Sequence, residues 1–427
     1  MRHASVALET LGCKLNQAES EGLGRHLRQV GFQLIASPED AEVYILNTCT
    51  VTRVADRKAR QRVRQVRRGN PTALVAAVGC YAERSAGDLL GAGADLVLDN
   101  SQKEQLPDLL KAEFSRHGSY AEQPVCDDYV GRTRALVKIQ SGCESSCSFC
   151  VVPQVRGEER CIPAGDIVRG VGERSAEGYR EVVLTGSKIG CYSWEGIGGL
   201  ASLVEEILAE TEVERLRLSS LQPQELTPQL LRLWEDRRLC NHIHVALQSG
   251  SDSVLRRMGR GYSMKEFQGA VSLAREMIPG VAITTDVMVG FPGETAEEFD
   301  ESYRFCEEMG FARMHIFPYS SRPGTAAERM SRQVDESAKR NRARRMTVLA
   351  EQSAYRFAQR FLGQTMPVLW EQETQKGIWK GLTGNYLQVF ASSDGTLGGR
   401  CMPAMLEYPC DGGIWGDLAE VPAMVCY

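Results

Sequence analysis

The first hundred residues alternate between short apolar runs and longer amphipathic stretches. This pattern predicts a strand at residues 5–9, a helix at 17–30 that ends at Gly31, and buried strands at 43–47 and 73–79. Strands that alternate with helices are typical of an open α/β domain with a mostly parallel sheet.

The pattern is lost over residues 107–132 and then begins again. We predict an amino-terminal domain at residues 1–115, a linker at 116–132 and a core at 133–362. The core has strand-like runs at 135–140, 181–185, 215–219, 242–247, 282–289 and 312–317, and helical stretches at 200–210, 228–239, 265–277 and 295–309. Six βα units with right-handed crossovers predict a partial (βα)6 TIM barrel that is open on one side, with its site at the carboxyl ends of the strands.

A long helix is predicted over residues 334–361, followed by a small β-barrel over 363–427. The β-barrel prediction depends on short β-type runs at 366–370 and 386–391, and on paired turn residues at Asp394-Gly395, Gly398-Gly399 and Gly412-Gly413.

Composition narrows the possible functions of this 427-residue chain. It has 50 basic and 55 acidic residues, a net charge of −5, so any nucleic acid must be bound by local basic patches. We find no long apolar run and no secretory signal, and therefore expect a cytoplasmic protein without a membrane partner. Fourteen cysteines in such a chain favour metal or redox chemistry.

Three cysteines distant in sequence each follow a predicted strand of the first domain: Cys13, Cys49 and Cys80. The carboxyl ends of parallel strands meet at one edge of a sheet. We therefore expect the three thiols to lie close together. Singly, each has the alternative of a buried cysteine packed as a small apolar residue.

Another three cysteines, Cys143, Cys147 and Cys150, directly follow the first strand of the core. Thiolates at this spacing can bind one face of an iron–sulfur cubane and leave the fourth iron open. An open coordination position is typical of a reactive metal site. The alternatives are a zinc knuckle, or an electron-transfer cluster whose fourth ligand is Cys161 or Cys191.

This segment, with Phe149 before the third cysteine, resembles the signature of the radical S-adenosylmethionine (SAM) superfamily. The resemblance implies a [4Fe–4S] cluster that binds SAM and cleaves it reductively to a 5′-deoxyadenosyl radical, with an electron donor such as flavodoxin or ferredoxin. It also implies that Cys143, Cys147 and Cys150 are catalytic cluster ligands. The remaining cofactor contacts it implies are Phe149, Thr185, Gly186, Ser219, Gln248, Ser249, Asp286 and Gly290.

The chain departs from the superfamily's usual pattern at three places, all close to these contacts. Ser141 replaces an acidic residue before the Gly-Cys pair, Ser187-Lys188 replace an apolar-Asn pair, and Ala246 replaces a proline. The cofactor and substrate contacts at these positions are therefore left open.

The motifs at residues 10–16, 47–52 and 78–80 are similar to the three cysteine motifs of the methylthiotransferase family. That resemblance implies a second [4Fe–4S] cluster on Cys13, Cys49 and Cys80, which are also catalytic, and SAM as both radical source and methyl donor. Residues 48–52 and 318–325 resemble the branch that methylthiolates carbon 2 of N6-threonylcarbamoyladenosine (t6A) at position 37 of transfer RNA. The alternatives are N6-isopentenyladenosine, a ribosomal-protein side chain, or a non-catalytic iron–sulfur RNA-binding protein.

A transfer-RNA substrate requires cations that contact phosphates. Residues 53–68 carry eight basic side chains and one acidic side chain. On a helix, Ala55, Ala59, Val63 and Val66 form its apolar stripe, and we assign RNA contacts to Arg57, Arg60, Arg64 and Arg67; the alternative is a solvated face.

A second basic run occupies residues 339–345, near the predicted carboxyl-terminal barrel. That barrel resembles the RNA-binding TRAM domain through residues 384–387. The alternative is a structural cap.

Overall fold

The computed structural model describes residues 3–116 and 133–419. These ranges contain the amino-terminal domain from residue 3, the core, and the carboxyl-terminal barrel up to residue 419. Residues 117–132, which make up most of the predicted linker, lie outside the described residues.

The amino-terminal domain is a parallel five-stranded sheet in the order β2-β1-β3-β4-β5. Its elements are β1 Ala4–Thr10, α1 Lys14–Gln29, β2 Phe32–Leu34, β3 Val43–Thr48, α2 Arg53–Gly69, β4 Leu74–Gly79, α3 Cys80–Arg84, α4 Ala86–Leu90, β5 Leu96–Val97 and α5 Leu106–Arg116. Strand β3 is buried along its whole length, because helices cover both faces of the sheet. The predicted α/β domain is confirmed.

The sequence analysis finds no regular pattern over residues 107–132, but the first part of that region is a helix. Helix α5 occupies residues 106–116, because Leu106, Leu110 and Phe114 recur at helical spacing and pack into the core of the first domain. The polar residues between these three concealed the periodicity.

The central domain is a partial barrel of six main parallel strands, as predicted. Its strands are β6 Arg134–Lys138, β7 Gln140–Ser141, β8 Arg160–Cys161, β9 Glu181–Thr185, β10 Ser193–Trp194, β11 Gly198–Gly199, β12 Arg215–Leu218, β13 Ser220–Leu221, β14 His242–Val245, β15 Ala282–Val289 and β16 Arg313–Pro318. The helices are α6 Val152–Arg156, α7 Ala164–Ala176, α8 Leu200–Glu210, α9 Pro228–Arg232, α10 Asp252–Met258, α11 Met264–Met277 and α12 Ala296–Met309. The main strands form two hydrogen-bonded sheets, in the orders β12-β9-β6 and β13-β14-β15-β16.

The helix predicted over 228–239 is wrong in its second half. Helix α9 ends at Arg232 and one 3-10 turn follows at Leu233–Glu235. The Trp234 indole donates a hydrogen bond to the Cys240 carbonyl at 2.9 Å, and Leu239 bridges to Leu216 in β12. These contacts turn the chain back into the barrel sheet before another helical turn can form.

The carboxyl-terminal part begins with α13 Glu336–Gln359 and ends in a closed five-stranded barrel, as predicted. The barrel order is β17-β18-β19-β21-β20, with β17 Thr365–Gln375, β18 Ile378–Thr383, β19 Gln388–Ser392, β20 Cys401–Cys410 and β21 Gly413–Leu418. Strand β19 begins two residues later than predicted, because Tyr386 adopts a left-handed backbone conformation with φ of 67°.

The first domain and the carboxyl-terminal barrel each contact residues that face the interior of the central barrel. Ala18 of α1 packs against Leu136 and Val183 on its inner face. At the amino-terminal end of the strands, Arg217 donates to the Gly384 carbonyl at 3.1 Å and the Tyr386 ring stacks on His242 at 4.2 Å. The TRAM-like segment 384–387 therefore packs against this end of the barrel, as the structural-cap alternative requires.

Candidate functional site

The loop that carries Cys143, Cys147 and Cys150 is held in shape by backbone contacts. Gly142 has φ of 82°, and a side chain there would collide with the Glu158 carbonyl. The amide of Ser148 donates to the Met258 carbonyl at 2.9 Å, and the Cys143 amide donates to the Gly157 carbonyl at 3.1 Å. The glycine and these bonds fix where the three thiols point.

The three thiols of this loop lie close enough together to perturb one another electrostatically. Burial raises the pKa of Cys150 to about 11, and the charges of Cys147 and Cys143 add to that shift. A thiol of this kind becomes a thiolate when it binds a metal. None of the described cysteines is in a disulfide, so the three sulfur atoms are free to bind iron.

A cavity of about 230 Å³ opens next to these thiols. Its lining includes Phe149, Gln248 and Asp286 from the predicted cofactor contacts, and also Ser187, Lys188 and Ala246, where the chain departs from the usual pattern. Three thiols beside an open cavity fit a cluster with one iron left for a ligand.

Arg260 also lines this cavity, although the sequence analysis did not single it out. Its Nη1 atom donates to the Cys147 sulfur at 3.3 Å, and its Nε atom donates to the Tyr262 hydroxyl at 3.0 Å. Gly259 ends α10 in the left-handed conformation and turns Arg260 towards the thiols. Hydrogen bonds to cluster sulfurs are among the factors that set a cluster's reduction potential.

Asp286 lies between two imidazoles at the wall of the cavity. Its carboxylate oxygens are 3.3 Å from His244 Nε2 and 3.2 Å from His315 Nδ1. Burial alone would raise the pKa of Asp286, but the two imidazoles hold it well below its usual range. The carboxylate is therefore ionised at neutral pH.

The remaining predicted cofactor contacts differ in where they lie. Thr185, Gly186 and Ser219 precede the lining residues Ser187 and Ser220 at two strand ends. Ser249 and Gly290 are absent from the lining: the Ser249 hydroxyl is 3.0 Å from that of Ser302, and the Gly290 amide donates to Glu294 at 2.6 Å. All five cofactor assignments stay predictions.

The amino-terminal thiols occupy the shared edge predicted for them. Cys13, Cys49 and Cys80 follow β1, β3 and β4, which are neighbours in the sheet. Gly12 passes so close to Cys49 that a side chain at Gly12 would meet the sulfur at 2.9 Å. Burial raises the pKa of Cys49 to about 12, and the charges of Cys13 and Cys80 add to the shift. Three convergent thiols of this kind fit a second iron–sulfur cluster.

A buried ion-pair network joins the two thiol groups. Arg156, at the end of the helix that follows Cys150, donates to Glu19 at 2.8 Å and to the Asn16 side chain at 2.5 Å. Glu19 also accepts from Lys103 at 2.6 Å. Burial would raise the pKa of Glu19, but Arg156 and Lys103 lower it to about 2. Cys80 packs against the same helix, so the two thiol groups belong to one site.

Known proteins match most of this chain. Residues 5–99 match the model described as uncharacterized protein family UPF0004, and residues 137–306 match the radical SAM superfamily. The chain is 35% identical over 416 residues to the threonylcarbamoyladenosine tRNA methylthiotransferase MtaB of Bacillus subtilis, covering 92% of each protein. The chain belongs to the radical SAM methylthiotransferase family. It is also 30% identical over 418 residues to a tRNA-2-methylthio-N(6)-dimethylallyladenosine synthase of Endomicrobium trichonymphae, covering 96% of this chain and 99% of that protein.

Membership of this family makes the chain an enzyme that uses a [4Fe–4S] cluster and SAM. Among solved structures, it resembles a radical SAM methyltransferase, TsrM of Kitasatospora setae, with a TM-score of 0.56 over 76% of this chain and 77% of that one. At 15% identity, that likeness supports the fold alone. Within the described residues, no helix is long and apolar enough to cross a bilayer.

The predicted RNA-contacting helix forms, but its cations divide into two groups. Arg60 bonds the Tyr81 hydroxyl and lies 3.5 Å from Asp88, and Arg67 donates to the Pro71 carbonyl at 2.9 Å. Arg57, Lys58 and Arg64 are exposed, and in the part of the chain that the structure describes they have no hydrogen bond or ion pair. The second group can therefore meet phosphates without breaking internal contacts.

In the second basic run, three cations are used within the protein. Lys339 pairs with Glu336, Arg342 with Glu294 and Arg345 with Asp300. The pairs of Arg342 and Arg345 therefore join α13 to the core, and the pair of Lys339 lies within α13.

Proposed function

We propose that this protein methylthiolates carbon 2 of t6A at position 37 of transfer RNA, giving 2-methylthio-N6-threonylcarbamoyladenosine. The proposal draws on four relatives named threonylcarbamoyladenosine tRNA methylthiotransferase, which are 33–35% identical to this chain. Relatives named for dimethylallyladenosine are 30–31% identical.

The observation that carries the proposal is a contact between the two segments that resemble the t6A branch. Arg322, only 2% exposed, donates to the Thr50 hydroxyl at 2.8 Å and to Asp56 at 2.5 Å. Alongside, the Arg53 amide donates to the Ser320 hydroxyl at 3.2 Å. Residues 48–52, which include Cys49, thus pack directly against residues 318–325, and a substrate could be recognised where the two segments meet.

When bound, a [4Fe–4S] cluster with SAM supplies the 5′-deoxyadenosyl radical, and a second cluster would supply sulfur. In our proposal Cys143, Cys147 and Cys150 hold the first cluster, and Cys13, Cys49 and Cys80 hold the second. Phe149 and Leu221 contribute apolar walls to the cavity. Asp286 and Gln248 offer polar groups that can orient the cofactor.

Transfer RNA can present the base to this interior only if the nucleotide is unstacked, as in other single-stranded recognition. Helix α2 begins directly after the motif around Cys49, and its exposed cations can hold the phosphates on either side of such a base.

Nucleoside analysis of transfer RNA from a strain lacking the gene tests the substrate. We expect 2-methylthio-t6A to disappear while t6A remains, and a plasmid copy to restore it. Loss of the 2-methylthio derivative of isopentenyladenosine would instead assign the other transfer-RNA branch. An unchanged nucleoside profile, with no SAM turnover by the reduced protein, would support the non-catalytic alternative.

Replacing Arg57, Lys58 and Arg64 with glutamine is expected to weaken transfer-RNA binding and flatten its salt dependence. Each phosphate that the variant no longer binds should lower the slope of log K against log salt by about 0.7 to 0.9. The matched control is Arg60→Gln with Arg67→Gln, whose guanidinium groups already have protein partners and should leave the slope nearly unchanged. Equal slopes for both variants and the wild type would indicate that the cations of α2 form a solvated face and do not contact transfer RNA.

A further inference from the structure

The interior of the central barrel is strongly basic. Residues such as Val182, Leu216, Ile243 and Ile283 face outwards into the core beneath the helices, so the residues that alternate with them face inwards. The inward residues include five basic, two acidic and three histidine side chains: Arg134, Lys138, Arg215, Arg217, Arg313, Glu181, Asp286, His242, His244 and His315.

Several of these charges are already satisfied by one another. Glu181 lies 2.7 Å from Arg217 and 2.8 Å from Arg215, and Asp286 lies between His244 and His315. Arg134 and Lys138 have acidic partners as well, Glu371 at 2.8 Å and Glu104 at 3.3 Å.

Lys14 adds one more cation to this interior from the first domain. Ala18, one helical turn later on α1, packs against the inward-facing Leu136 and Val183, so Lys14 faces the same interior. Its ammonium lies within electrostatic reach of Tyr386, Arg217 and Arg134, which belong to the barrel and its cap. Burial lowers the pKa of Lys14, and Arg217 and Arg134 lower it further, while Tyr386 and Glu181 oppose the shift.

Among the described residues, the ammonium of Lys14 has no hydrogen-bond or ion-pair partner. A partly desolvated cation in a basic surrounding is unfavourable unless an anion joins it. The position therefore suits a ligand that carries a negative charge.

Lys14 is also next in the chain to one of the two thiol groups. It directly follows Cys13 of the amino-terminal thiols, and it faces the interior whose wall includes Asp286 of the cavity beside the other thiols. His315, which lies beside Asp286 on strand β16, keeps 43% of its side chain exposed, so this interior is open to solvent. A base held between the two thiol groups could extend its N6 substituent into this interior, which Lys14 also faces.

We infer that Lys14 binds the carboxylate of the threonylcarbamoyl group and thereby selects t6A over bases with an apolar N6 substituent. This inference rests on the proposed function. A dimethylallyl group has no charge, so it would leave the ammonium unpaired, and a site that leaves a buried polar group unpaired discriminates strongly. A backbone phosphate is the other anion that could reach Lys14, and the experiment separates the two.

The test measures binding of anticodon stem-loops to the reconstituted full-length enzyme by fluorescence anisotropy under anaerobic conditions. Three stem-loops are compared, which carry t6A, its carboxylate methyl ester, or unmodified adenosine. The proteins are the wild type, Lys14→Met, Lys14→Arg and the control Lys265→Met, which removes an exposed lysine from α11.

We expect Lys14→Met to weaken binding of the t6A stem-loop about tenfold or more, the usual range for losing a charge-assisted hydrogen bond. The ester should weaken wild-type binding by a similar factor and should not weaken Lys14→Met binding further. Lys14→Arg should retain most of the affinity, and Lys265→Met should match the wild type. Iron content and circular dichroism establish that each variant holds its clusters and fold.

Equal weakening of all three stem-loops by Lys14→Met would assign Lys14 to a phosphate and overturn the inference. Wild-type affinity of Lys14→Met for the t6A stem-loop would also overturn it, while methylthiolation of t6A by the wild type would leave the proposed function intact. A wild-type enzyme that modifies only isopentenyladenosine would overturn both.

Discussion

Alanine at Cys143, Cys147 and Cys150 is expected to abolish both 5′-deoxyadenosine formation and methylthiolation. Without these thiols no iron is left open to bind SAM. Alanine at Cys13, Cys49 and Cys80 should abolish methylthiolation alone, because these thiols are assigned to sulfur delivery. Reduced protein supplied with SAM would then still yield 5′-deoxyadenosine. The measurement is quantification of the two products by mass spectrometry after anaerobic reconstitution.

Iron analysis of the same samples adds a second readout. The wild type should hold about eight irons, and each triple variant about four. The matched control is Cys306→Ala, which removes a buried thiol outside both groups and tests the effect of a cavity alone. If the folded amino-terminal triple variant methylthiolates at the wild-type rate, the role assigned to Cys13, Cys49 and Cys80 is wrong.

Glu181→Ala is expected to lower the free energy of unfolding by about 3–5 kcal/mol, the range for breaking a buried ion pair. The Glu181 side chain is fully buried and contacts Arg217 and Arg215, so its removal leaves guanidinium groups unpaired in the barrel interior. The control is Glu214→Ala, since this carboxylate is 46% exposed in its pair with Arg180 and should cost less than about 1 kcal/mol. Urea unfolding followed by tryptophan fluorescence gives both values.

The ionisation of Glu181 also makes the free energy of unfolding depend on pH. Burial would raise the pKa of Glu181, but Arg217 and Arg215 outweigh burial and lower it from 4.5 to about 2. A folded-state pKa below the unfolded value means that this stabilisation is present above about pH 4.5 and is lost as the pH falls towards 2. As the pH falls through that interval, the free energy of unfolding should decrease less for Glu181→Gln than for the wild type. An Ala variant as stable as Glu214→Ala would contradict the assigned role.

Local pattern was enough to predict much of the fold. The strands at 181–185 and 282–289 and the helix at 200–210 have the predicted bounds. In each segment the spacing of apolar residues favours the same structure as the contacts that the segment makes in the fold. The two cysteine groups were also predicted from spacing and from their place after strands, since parallel strands end at one edge.

Contacts between distant residues decided what local pattern could not. Helix α9 stops at Arg232 because Trp234 and Leu239 find partners in the barrel, and no residue before Arg232 signals that stop. Helix α5 forms because three apolar residues reach the core of the first domain. Burial supplies the free energy in both cases, and it depends on where the rest of the chain lies.

The sequence by itself determined the family, the two sets of thiols and the order of the domains, because these depend on residue type and spacing. Only the tertiary structure decided which charges are free. Arg60 and Arg67 share a helix with Arg57 and Arg64, yet the first two are bound within the protein and the last two are exposed. Lys14 similarly faces the barrel interior because α1 packs on strands more than a hundred residues away. Whether a cation is paired depends on its three-dimensional neighbours, which its own segment does not encode.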